Sequence, residues 1–140
     1  MIWLFVAVGA LGLIGTILKT PWFRGMIGEF YFNLGIRLFL DKQTYRLVKN
    51  VTLPTADGTT QIDHIVVSRY GIFVIETKNM KGAIYGAEHD GQWTQVLGRH
   101  KHKFQNPLRQ NYKHTQTLAE ILGVAGDTIK PVIMFVGEAK

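Results

Sequence analysis

The hydrophobic pattern divides the chain into one long uncharged stretch and a series of shorter periodic segments. Residues 1–18 (MIWLFVAVGALGLIGTIL) carry no charged side chain. As a helix they would reach roughly 27 Å, close to the ~30 Å hydrocarbon core of a bilayer. A transmembrane anchor is therefore expected at 1–18, with 19–24 as a juxtamembrane linker that places Trp22 and Phe23 at interfacial depth. A cleaved signal peptide would need a basic start and a small-residue exit. No Lys or Arg precedes Lys19, and Thr20-Pro21-Trp22-Phe23 is not such an exit. A buried soluble helix is the other alternative. Lys19, Arg24, Arg37 and Lys42 all follow the span, which predicts a single-pass membrane protein with its domain on the cytoplasmic side.

The rest, residues 25–140, reads as one domain. Gly25 to Leu40 has Ile27, Phe30, Leu34 and Leu38 near helical spacing and predicts an amphipathic helix. Residues 45–53 alternate apolar and polar and end at Pro54, as an exposed or edge strand would. An Asp57-Gly58 turn signal leads into two dense apolar runs, Ile62 with Ile65–Val67 and Ile72–Ile75, joined at Arg69-Tyr70-Gly71. Runs apolar on both parities predict strands covered on both faces. Residues 83–87 and 92–97 predict a small hairpin around Asp90-Gly91, and Arg99–Lys103 (RHKHK) a basic loop. Asn106-Pro107 opens a helix to about Leu122, with Leu108, Leu118, Ile121 and Leu122 on its apolar side and Gly123 at its end. Residues 131–136 predict a last buried strand. This order predicts a mixed α/β fold with one central sheet flanked by helices.

Composition narrows the chemistry. The net charge of +6 favours a polyanionic partner, either nucleic acid or acidic lipid. The absence of cysteine excludes disulfides, thiolate metal sites and cysteine nucleophiles. No phosphate-binding glycine loop or Ser/His/Asp set is present.

Three polar residues interrupt the apolar runs: Asp63, Glu76 and Lys78. If Arg69-Tyr70 forms a two-residue turn, counting back sets Asp63 opposite Glu76, with Cβ atoms about 5 Å apart. Lys78 then shares the face of Glu76. A type I turn with a G1 bulge at Gly71 would shift this register by one, and the sequence leaves both open. Opposed carboxylates repel each other. A divalent cation such as Mg²⁺ relieves that repulsion, and a neighbouring ammonium can orient a water for attack on a phosphoryl group. The bland alternative is a strand-end salt-bridge cluster.

Gly28-Glu29, Gln61-Ile62-Asp63-His64, Ile75-Glu76-Thr77-Lys78-Asn79, Gly82, Tyr85-Gly86, Trp93, Asn106-Pro107, Gln110-Asn111 and His114 together resemble the nuclease-related domain (NERD) over roughly residues 25–123. That family is grouped with the PD-(D/E)xK nucleases, so the resemblance implies a restriction-endonuclease-like mixed sheet flanked by helices. It implies that Asp63 and Glu76 bind Mg²⁺ or Mn²⁺ and that Lys78 is the catalytic lysine. It also brings Glu29, as a further metal ligand, and Gln110 into the site. Ile62 stands where the superfamily name would put proline.

The expected function is a membrane-anchored, Mg²⁺-dependent nuclease acting on nucleic acid, DNA first, with Arg99, Lys101 and Lys103 on its phosphates. The alternatives are a non-catalytic nucleic-acid-binding or membrane-tethering module of the same fold, and a lipid-binding basic face.

Overall fold

A computed structural model describes residues 20–140 of the chain, with the side chains of 21–24 left aside. The anchor expected at 1–18 lies outside the described residues, as do the interfacial side chains of Trp22 and Phe23. Among the described residues no helix is long and apolar enough to cross a membrane.

The first described helix, α1 (Pro21–Phe39), opens on a proline, whose fixed φ suits a first helical position. It therefore takes in most of the expected linker. Its buried face also differs from the expected one. Gly28 and Phe32 are buried, with Ile36 and Leu40 packed alongside, whereas Ile27, Phe30, Leu34 and Leu38 face outward. Apolar residues occupy both sides of this helix, so periodicity alone could not choose the inner stripe.

The central sheet holds β1 (Tyr45–Thr55), β2 (Gly58–Ser68), β3 (Gly71–Asn79) and, later in the chain, β7 (Ile129–Val136), in the order β1-β2-β3-β7. The first three are antiparallel, and β7 runs parallel to β3. The β2–β3 turn is the two-residue form. Ser68 pairs with Gly71 and the ladder continues to His64 opposite Ile75, so the bulge alternative at Gly71 does not occur. One core lies under α1 around Phe32, Val66 and Ile75. The other lies under α2 (Pro107–Leu122) around Ile62, Val74, Leu118 and Ile129. Full burial of a side chain such as Ile62 or Val74 contributes about 1.5–3 kcal/mol.

β1 and β2 change faces partway along. Tyr45 and Leu47 pack on the α1 side, but Val51 and Leu53, of the same parity, pack on the α2 side. Val66 and Ile62 divide in the same way. The change occurs at Asn50, whose φ is +53°, and at Asp63 opposite it, the two positions that the ladder skips. Asparagine tolerates this left-handed backbone better than most residues. Asp63 thus sits at the crossover.

The expected small hairpin is a three-stranded sheet: β4 (Ala83–Tyr85), β5 (Gln92–Leu97) and β6 (His100–Gln105). The basic segment is not a loop. Its residues 100–103 form most of β6, paired residue by residue with β5. Charged side chains on an exposed edge strand hide its apolar pattern while the backbone ladder holds it. Trp93 ties this sheet to the central one. Its ring stacks on Phe135 at 6.4 Å and its Nε1 donates to Ala87 O at 2.9 Å. Gly86 lies flat against that indole, where any Cβ would collide.

Asn106 caps α2. Its Oδ1 accepts Leu108 N–H at 2.9 Å, and its Nδ2 donates to Glu88 O and Asp90 O. The helix buries Asn111, His114 and Thr115 beside Leu118 and Ala119, while Leu108, Ile121 and Leu122 are exposed. Its inner face is therefore half polar, unlike the expected apolar stripe. Asn111 Nδ2 donates to both Val74 O and Val132 O at 3.0 Å, clamping β3 to β7.

α1 approaches the sheet most closely at Gly28. A Cβ there would lie 2.9 Å from Asn79 Cβ and 3.0 Å from Val136 Cγ2. Gly28→Ala is expected to cost about 1–3 kcal/mol by overpacking. It should appear as a lower denaturant midpoint at unchanged slope.

Candidate active site

β3 leaves β2 after Ile75 but stays paired with β7 through Asn79. The site lies where the two strands part. Glu76 and Lys78, two residues apart, share the α2 side of β3 with Ile72 and Val74. Glu76 is 3% exposed. Lys78 Nζ donates to Glu76 Oε1 at 2.7 Å and to Gln110 Oε1 at 3.1 Å. Gln110 comes from the first turns of α2, so the N-terminal end of that helix holds the ammonium over β3.

Asp63 reaches the same place from β2. Its carboxylate accepts the Thr77 N–H, a donor left free by the parting of the strands. Burial, and next the Glu76 and Glu29 carboxylates, push Asp63 up to about 6, against the pull of Lys78 and Thr77. The charge of Glu29, on α1, is thus felt at Asp63. Glu76 behaves in the opposite way. Burial would raise its carboxyl, but His114 and Lys78 outweigh burial and hold it below its usual range.

The structure therefore joins Asp63, Glu76, Lys78 and Gln110, with Glu29 at the edge. It adds His114, which the resemblance contained without a role. His114 Nε2 stands 3.6 Å from Glu76 Oε2, a separation longer than a hydrogen bond. Its Nδ1 is 2.9 Å from Thr60 Oγ1. Gln110 and His114 lie one turn apart on α2, and that spacing was the available signal. His64 points the other way, onto the α1 side. It is buried against Phe32 with ring centroids 4.2 Å apart, and burial, then the Lys49 charge, lowers its imidazole to about 4 against the pull of Glu76.

Among the described residues no group of three or more His, Asp or Glu side chains closes into a metal cage. The donor chemistry nevertheless suits a hard divalent cation. Asp63 and Glu76 adjoin and Glu29 acts on Asp63; burial first, and then the repulsion of these two carboxylates, drives Asp63 toward its neutral form.

Thr77, Lys78, Gln105 and Gln110 line a cleft of about 410 Å³ over the site. Lys101, Lys103 and Gln105 share one face of β6, two residues or about 7 Å apart. The two lysines therefore stand in a row that ends at the cleft, rather than beside the carboxylates. Arg99 sits in the β5–β6 turn. His102 and Phe104 line a cleft of about 700 Å³ against α1, and Phe104 also borders the cleft over the site.

A family model described as "NERD: Nuclease-related domain" matches residues 24–136. An uncharacterized protein of Bacillus anthracis is 48% identical over 101 residues, which cover 70% of this chain and 46% of that protein. The chain thus spans about half the length of this curated relative.

Proposed function

The chain belongs to the nuclease-related domain family, and on that premise we propose that it is a membrane-anchored, divalent-metal-dependent phosphodiesterase acting on nucleic acid, DNA first. The observation that carries this reading is the meeting of Asp63 with the Glu76–Lys78–Gln110 cluster where β2 and β3 part. Asp63 and Glu76, with Glu29, would hold Mg²⁺ or Mn²⁺, which when bound neutralises charge on a phosphoryl group and acidifies water. Lys78, held by two acceptors, orients the attacking water and offsets charge at the phosphate. Glu76 fixes that ammonium, and His114 with Thr60 braces the carboxylate from behind. The test is incubation of the full chain with supercoiled, linear and single-stranded DNA and with RNA, with and without Mg²⁺ or Mn²⁺. Metal-dependent cleavage supports the reading.

A second reading has its own observation. Glu76 Oε1 is already held by Lys78 at 2.7 Å, and Oε2 faces His114 Nε2 at 3.6 Å, as a retained fold without catalysis would allow. DNA bound in a salt-sensitive way and left intact in every metal would favour it.

The basic row on β6 would lie along the phosphates flanking the scissile bond. Neutralising Arg99, Lys101 and Lys103 together is expected to weaken DNA binding and flatten its salt dependence by up to about three phosphate contacts. An unchanged salt slope would remove these residues from the interface.

The uncharged residues 1–18 would anchor the chain, with the site on the cytoplasmic side because the nearby basic residues follow the span. A reporter fused after Lys140 should be active in its cytoplasmic form. Activity confined to the other side would reverse the orientation.

A further inference from the structure

The outer face of α1 is apolar where a solvated helix would be charged. Met26, Phe30, Leu34 and Leu38 follow one another at four-residue steps, and Phe30 and Leu38 are 63% and 67% exposed. The core does not use them, because Phe32 and Ile36 form the stripe that meets the sheet. The charged residue among them is Arg37. At this end of the helix Arg37, Lys42 and Arg46 line one pocket of about 240 Å³ that has no acidic side chain in its wall. Asp41, next in the chain to Lys42, is occupied by Gln43 N–H and the Thr44 hydroxyl. The helix begins three residues after the uncharged stretch 1–18.

We propose that the outer face of α1 lies in the interfacial layer of a bilayer containing anionic lipid, with Arg37, Lys42 and Arg46 on headgroup phosphates. An apolar helical face with a basic cluster beside it is the pattern of an interfacial helix. The idea rests on the anchoring of residues 1–18 and adds the orientation of the domain. Glu76 and Lys78 lie on the α2 side of the sheet, away from this face. The cleft over the candidate site borders the first turns of α1 at Gly25 and reaches α2 at Gln110, so with the outer face of α1 on lipid the site would stand at the membrane margin with its α2 side toward water.

The chain has no cysteine, so single cysteines give unique labels. The full chain carrying Phe30→Cys, Leu34→Cys or Leu38→Cys, each with an environment-sensitive fluorophore, is placed in nanodiscs of mixed phosphatidylcholine and phosphatidylglycerol. Tyr112→Cys, on exposed α2, is the control. Nitroxide-labelled lipid should quench the α1 labels several-fold more than the control, and aqueous iodide several-fold less. Reversing Arg37, Lys42 and Arg46 to glutamate should shrink both differences, as should omitting phosphatidylglycerol. Iodide quenching equal to the control would overturn the proposal. So would labels shielded from both quenchers, the sign of residues 1–18 or another protein surface covering α1. Cross-linking between two copies at position 30 would assign the face to a dimer instead. A chain that never enters the discs defeats the anchoring itself. Entry with water-exposed α1 labels defeats only the present inference.

Discussion

Replacing Lys78 by alanine is expected to lower nucleic-acid turnover by a factor of about 10²–10⁴ while leaving a divalent cation bound. The ammonium is not a metal ligand. It is held by Glu76 at 2.7 Å and Gln110 at 3.1 Å, a geometry that fixes a donor in the cleft. Lys78→Arg keeps the charge but replaces a compact donor with a planar fork, so it should rescue little. Gln110→Ala removes one of the two acceptors and should cost less than Lys78→Ala. Steady-state cleavage with excess Mn²⁺ measures all three. Equal turnover by Lys78→Ala and wild type would remove the lysine from the chemistry.

Asp63→Asn and Glu76→Gln are expected to move stability in opposite directions when no metal is added. Asp63 is raised from 3.8 to about 6. Between these values the folded state holds a proton that the unfolded chain has released. Stability from this group is thus complete below pH 3.8 and declines as pH rises to about 6. The shift corresponds to at most about 3 kcal/mol, and solvent access at this half-buried group reduces it to about 1–2 kcal/mol. Asp63→Asn should therefore raise the melting temperature at pH 7 by about 3–8 °C and abolish that decline. Glu76 is lowered below 4.5, so its contribution is present above that value and fades as pH falls. Glu76→Gln leaves the Lys78 ammonium beside a neutral amide, and should cost about 1–3 kcal/mol. Melts of the full chain in detergent between pH 4 and 7 check both signs.

The elements that announced themselves in the sequence are those whose pattern and burial agree. β2 and β3 are apolar on both parities because helices cover both faces, and their two-residue turn set the register that brings Asp63 toward Glu76. α2 carried its own punctuation in Asn106-Pro107 and Gly123. Other features failed to show for physical reasons. α1 is apolar on both sides, so the wrong stripe looked buried. β6 is a strand by backbone pairing with charged side chains, so it looked like a loop. The face change at Asn50 depends on one backbone angle. His114 belongs with Glu76 because α2 packs across β3, a tertiary contact that only its place one turn beyond Gln110 hints at.

The central claim is that Asp63 and Glu76 share one divalent cation, and the most direct measurement is Mn²⁺ binding to the full chain in detergent, followed by the electron paramagnetic resonance of the free ion. The account predicts one tight Mn²⁺ per wild-type chain, the same site in Lys78→Ala, and at least about tenfold weaker binding in Asp63→Asn and in Glu76→Gln. Binding that is identical in all four proteins, or absent from the wild type, would contradict it.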